Sequence, residues 1–136
     1  MNLEFLAKSN IVSTVKLVLN DQEIWSHSGG FFFANIKLNH NDRNMLDIRW
    51  HSENTVDVNL VIFHILINNQ KLDINKSMYL PFDKPDGYND YYTLHGGNLV
   101  WPGILRTYFK IMKSQNYVQN KEQDSSMIRK YNIIYD

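Results

Sequence analysis

The sequence predicts an all-β protein, a β-sandwich or jelly roll of about nine short antiparallel strands. Three observations carry this. Apolar residues recur with period two along most of the chain, the pattern of half-buried strands. Turn clusters rich in Asn, Asp and Gly interrupt them at short, regular spacing. No stretch shows a convincing helical period.

Val15, Leu17 and Leu19 alternate with Thr14, Lys16 and Val18. Asn20-Asp21-Gln22 then reads as a tight turn and Glu23-Ile24-Trp25 as a short return strand. Ser26 to Gly30 reads as a loop. Phe32, Ala34, Ile36 and Leu38 share one face of the next strand, which places Phe31 and Phe33 on the other. After the polar turn 39–44, Leu46, Ile48 and Trp50 alternate with Asp47, Arg49 and His51. The acids, Asp47 included, are expected in turns and on solvated outward faces.

Val56 to Asn69 is rich in Val and Ile and reads as a central strand buried on both faces. Its alternation changes phase between Leu60 and Phe63, which predicts a bulge. Asn68-Asn69-Gln70 is a turn and Lys71 to Ile74 a short return strand. Met78 to Phe82 is a further strand, followed by the loop 83–90 with Pro85 and Gly87. Tyr91 to His95 and Leu99 to Trp101 flank Gly96-Gly97 as a hairpin. Leu105, Thr107, Phe109 and Ile111 share a face of a strong strand. One domain over residues 1–113 is expected, then a polar linker over 114–126, with 127–136 as a final edge strand of the same domain. The core is expected at Val15, Leu17, Leu19, Ile36, Leu38, Leu46, Ile48, Trp50, Ile62, Ile65, Ile67, Leu105, Phe109 and Ile111.

Composition narrows the function. With 136 residues the chain is the size of one domain. It has no cysteine, so disulfides, thiolate zinc sites and cysteine nucleophiles are excluded. Lys plus Arg and Asp plus Glu are each 14, a balance that argues against nucleic-acid binding and permits self-association. The start MNLEFLAKSN has no apolar core after a basic region, so no signal peptide is expected. No apolar run reaches the ~20 residues of a membrane helix. A soluble protein made in the cytoplasm is the expectation.

No nucleophile elbow, phosphate-binding loop or dinucleotide fingerprint occurs, and no histidine sits at zinc-ligand spacing with another. The protein is therefore read as a non-enzyme, with a small hydrolase, which needs two acids converging in a cleft, as the reserve reading. His64, inside the apolar run, reads as a satisfied core or interface histidine, and His51 as solvated beside Arg49. The stretch from Asp83 to Trp101 is the most suggestive. Its carboxylates Asp83, Asp86 and Asp90 could offer oxygens to calcium, or simply face water in a polar turn. Its rings Tyr88, Tyr91, Tyr92 and Trp101, with Asn89 and Asp90 beside them, suit stacking on a sugar and bonding its hydroxyls. Trp101 fits an exposed strand end or the core. Phe31 and Phe33, if outward, suit a protein interface.

Residues 15–73 resemble the small jelly-roll carbohydrate-binding modules of the calcium-dependent, xylan-binding type. The matching parts are VKLVLNDQEIW, MLDIRWHSEN and VIFHILINNQKLD, each a strand running into or out of a turn. The resemblance implies a jelly roll that binds a glycan. It also places the family's calcium ligands near Asn59 and Phe63. Phe63 cannot ligate calcium, and Asp57 is the carboxylate left nearby. TLHGGNLVWPG and ILRTYFKI also resemble segments of small β-sandwich proteins of tailed-phage virions. That implies the alternative of a structural virion protein, a capsid or tail decoration acting through contacts with virion proteins or its own copies.

Overall fold

The computed structural model describes residues 1–82, 97–113 and 131–135. It is an antiparallel β-sandwich of the jelly-roll kind. The strands are β1 (Asn2–Leu19), β2 (Gln22–Lys37), β3 (Arg43–His51), β4 (Leu60–Ile67), β5 (Gln70–Lys71), β6 (Met78–Pro81), β7 (Asn98–Leu99), β8 (Gly103–Lys113) and β9 (Tyr131–Tyr135).

The long hairpin β1–β2 organises both leaves. In the first leaf, residues 2–9 of β1 lie between the C-terminal half of β2 and β4. In the second, residues 14–19 of β1 lie between the N-terminal half of β2 and β3, and β8 follows on β3. β5 and β7 pair with the far side of β4, and β6 and β9 with β8. The chain changes leaf where Lys8 to Ser13 spans more residues than Phe31 to Gly29 opposite. Such an irregularity bends a ladder and lets one strand serve two sheets.

The tight turn expected at Asn20-Asp21 is present, with φ of 51° and 68°. Positive φ at both central positions suits the twist of a hairpin, and Asn and Asp tolerate it. Asn68-Asn69, with φ of 51° and 65°, repeats the device between β4 and β5.

Four expectations are corrected. Ser26 to Gly30 is not a loop but the middle of β2: Ser26 to Gly29 pair with Lys16 to Ser13, and because β1 begins at Asn2, not near Thr14, the ladder resumes along Phe31 to Lys37. Second, the central strand starts at Leu60. Val56 is 74% exposed and Asp57 has φ of 55°, so 56–59 is a turn, and β4 buries one face rather than two. Third, Lys71 to Ile74 gives only the two-residue β5, followed by a 3-10 turn over Ile74–Lys76 capped by the Asp73 carboxylate. Fourth, the strand expected over Leu99 to Trp101 ends at Leu99, which pairs with Leu60 of β4, and Trp101 lies beyond the end of β7; the hairpin expected with Tyr91 to His95 falls outside the described residues. The expected bulge in β4 is present: Leu6 faces His64 and Ala7 faces Ile62, leaving Phe63 as the extra, half-exposed residue.

The inner faces of both leaves form one apolar core around Trp50, Phe5, Phe32 and Phe109. The core expected from sequence is buried except at Ile36 and Leu38, which pack at its rim. Leu3, Phe5, Ala7, Leu60 and Leu72 join it. The indole N–H of Trp50 donates to Ser13 Oγ at 3.0 Å, which satisfies the one polar group on the largest buried ring.

Asp47 is the fifth correction. Alternation puts it on the outer face of β3, yet it is fully buried there. It lies directly across from Arg106 of β8 and accepts hydrogen bonds from Arg106 Nε at 2.7 Å and Nη2 at 2.9 Å, and from Arg49 Nη2 at 3.2 Å. Burial by itself raises a carboxyl pKa. Here the hydrogen bonds and charges of Arg106 and Arg49 outweigh it and hold Asp47 below the usual carboxylate range.

Candidate functional site

One end of the second leaf carries a groove. Its floor is a cross-strand row on the outer face: Ser28 of β2, Thr14 of β1 and His51 of β3 stand opposite one another. Thr14 Oγ1 and Ser28 Oγ share a hydrogen bond of 2.8 Å. Beyond His51 the chain turns, with the Asn54 N–H donating to Ser52 Oγ at 3.2 Å, and this turn presents Glu53 and Asn54. With Val12 and Ser13 of the bend in β1, these residues line a groove of about 500 Å³.

A smaller recess of about 130 Å³ shares His51 and Ser52 with it and is completed by Thr55, Phe82, Trp101 and Pro102. The Phe82 and His51 rings stack at 4.4 Å between centroids and 22° between planes. Phe82 is held there by its N–H, which donates to the Pro102 carbonyl at 3.1 Å. Sequence reading placed His51 in solvent. It is exposed, but one ring face lies against Phe82. Desolvation, then the positive charges of Lys16 and Arg49, lower its pKa, so the imidazole stays neutral further into mild acid than a free histidine.

The groove joins hydroxyls, an amide, a carboxylate and a neutral imidazole to an aromatic end. That set can exchange hydrogen bonds with a polyol while rings cover its apolar face. Among the described residues lining the two recesses, Glu53 is the carboxylate.

The predicted site residues divide as follows. Trp101 is half-buried, packed on the core and lining the recess beside Phe82, so it is both a core neighbour and a groove wall. Asp83, Asp86, Tyr88, Asn89, Asp90, Tyr91 and Tyr92 lie outside the described residues. Phe31 and Phe33 are 57% and 51% exposed while Phe32 is fully buried, and neither lines the groove or the recess. His64 is half-buried on the outer face, its Nε2 2.8 Å from Glu4 Oε2. Sequence reasoning missed Phe82, His51 and Thr14 as members of one site. Only β-ladder register, which joins residues 14, 28 and 51, brings them together.

The resemblance implies calcium near Asn59 and Phe63, and the residues there do not fit it. The Asn59 amide donates to Asn98 Oδ1 at 3.1 Å, and its backbone N–H donates to Asn10 Oδ1 at 2.9 Å. Phe63 brings no oxygen. Among the described residues no three His, Asp or Glu side chains converge as a metal site. No helix among them is long and apolar enough to cross a membrane.

No protein-family model matches the chain, and no curated protein matches it by sequence. Its fold is that of known carbohydrate-binding modules. A solved structure described as vCBM60 in complex with galactobiose superposes with a TM-score of 0.54 at 13% identity, covering 78% of this chain and 96% of that one. A second vCBM60 structure gives a TM-score of 0.54 at 10% identity, covering 77% and 87%. That module belongs to work linking two families of calcium-dependent carbohydrate-binding modules by circular permutation. The likeness suggested by residues 15–73 thus extends over most of the jelly roll.

Proposed function

We propose that this protein is a non-catalytic carbohydrate-binding module and that the groove between Val12 and Trp101 receives the sugar. One observation carries the reading: a row of hydroxyls, an amide and the Glu53 carboxylate runs into the stacked Phe82–His51 pair and Trp101. Polar groups that fix hydroxyls beside rings that cover a pyranose face are what sugar recognition requires. The fold likeness to modules that bind carbohydrate supports it.

Phe82 immediately precedes residues 83–96, whose sequence supplies Tyr88, Asn89, Asp90, Tyr91 and Tyr92. The proposal assigns these to the same glycan as stacking rings and hydrogen-bonding groups. Calcium held by Asp83, Asp86 and Asp90 is the metal arm of the proposal, motivated by the calcium-dependent modules of similar fold.

A glycan array probed with and without a chelator is the direct test. Binding to a defined glycan class, reduced by Phe82→Ala and Trp101→Ala, is the expected result. Binding lost with chelator identifies the metal arm, and binding kept removes it. No binding in either condition overturns the reading. The alternative, a virion component acting through protein contacts, is supported by the exposed Phe31 and Phe33.

A further inference from the structure

We propose that β2 is a dimer edge, along which two copies of this chain pair antiparallel about a two-fold axis near Gly30 and Phe31. Among the described residues β2 pairs with β1 alone, so one side of a 16-residue strand carries unpaired backbone groups. Folded proteins blunt such edges with charge, proline or short length. From Ile24 to Ile36 this edge has no Lys, Arg, Asp, Glu or Pro. It instead presents Phe31 and Phe33, each more than half exposed.

The register of the pairing follows from the two faces of β2. Ser26 and Ser28 point outward with Lys16 and Thr14, and Phe31, Phe33 and Asn35 outward with Lys8, Leu6 and Glu4. A two-fold axis along the sheet normal must set outward residues against outward ones. That places Phe33 opposite Ser28 of the second copy, Asn35 opposite Ser26, and Phe31 opposite Gly30. A large ring then covers a small neighbour at each exposed phenylalanine. The same axis keeps the bend of β2 in one sense in both copies, so pairing continues across it.

Charge agrees with this register. Glu23 and Lys37 are the only Asp, Glu, Lys or Arg residues of the strand, one at each end. Antiparallel pairing brings each Glu23 alongside Lys37 of the other copy. Within its own chain Glu23 meets Lys16 at 3.7 Å, an exposed pair that leaves it free to contact a second cation. A formal net charge of zero adds little repulsion between copies.

Sedimentation equilibrium of the full chain over a wide concentration range tests the proposal. The expected result is a reversible dimer. Glu23→Lys weakens it roughly tenfold through two like-charge contacts, and adding Lys37→Glu restores it. Phe33→Lys gives a monomer with an unchanged circular dichroism spectrum. Should Phe33→Lys fail to fold, the charge exchange at the two strand ends decides alone. A wild-type protein that is monomeric at every concentration overturns the proposal. So does a dimer indifferent to Glu23→Lys and to its rescue.

Discussion

Asp47 and Arg106 face each other across β3 and β8, carboxylate to guanidinium, at 2.7 and 2.9 Å, with Asp47 wholly buried. Arg106 keeps some contact with solvent, and Arg49 gives a third hydrogen bond. The forked geometry satisfies the two carboxylate oxygens together and fixes the register of two central strands of the second leaf. Breaking one side leaves uncompensated charge beneath that sheet. Asp47→Ala should therefore cost about 3 kcal/mol in urea unfolding. A loss under about 1 kcal/mol shows that solvent takes over the arginines.

The same pair sets an acid limit. The folded-state pKa of Asp47 is lowered from 3.8, so the unfolded chain takes up its proton first as pH falls. Its stabilisation is present above that value and is lost as pH drops through the lower folded value. Wild-type stability should fall on acidification below about pH 4, and Asp47→Asn should flatten that part of the profile. His51 contributes with the same sign at higher pH. Its pKa is lowered from 6.5, so stability declines as pH drops through that value, and His51→Gln should remove this step.

Ser13→Ala tests the Trp50 anchor. It removes the acceptor of a buried indole N–H at 3.0 Å. The expected cost is about 1–3 kcal/mol, read from the denaturation midpoint at unchanged slope. Trp50 fluorescence of the folded variant reports whether water takes the place of the hydroxyl.

Phe82→Ala separates binding from folding. The ring is 42% exposed and stacks on His51 rather than filling the core. Unfolding free energy should change by less than about 1 kcal/mol. Glycan affinity, measured by calorimetry, should drop about tenfold for one lost ring contact. Equal affinity for wild type and variant places the sugar elsewhere.

Much of the fold was legible because its signals are local. Leu46, Ile48 and Trp50 announce a buried face, and the Asn-rich pairs at 20–21 and 68–69 announce hairpin turns. All three hold in the structure. The first half of β1 was overlooked although Leu3, Phe5 and Ala7 alternate there, because Leu6 between them blurs the period. The candidate site was hardly legible. Thr14, Ser28 and His51 are ordinary polar residues, and nothing near them in sequence distinguishes them. Trp101 was legible as a stacking ring at a strand end, because an aromatic before Pro102-Gly103 is a local signal.

The sequence by itself determined the all-β class, most of the core and the turn positions. Each depends on the two-residue strand period and on the φ preferences of Asn, Asp and Gly, which act over a few residues. Only the tertiary structure decided where β1 and β2 bend between leaves, that Asp47 is buried, and which side chains share the groove. Those depend on strand pairing between distant segments, such as the 59 residues separating Asp47 from Arg106. A slip of one residue in that pairing would turn Asp47 to the core and Ile48 to solvent.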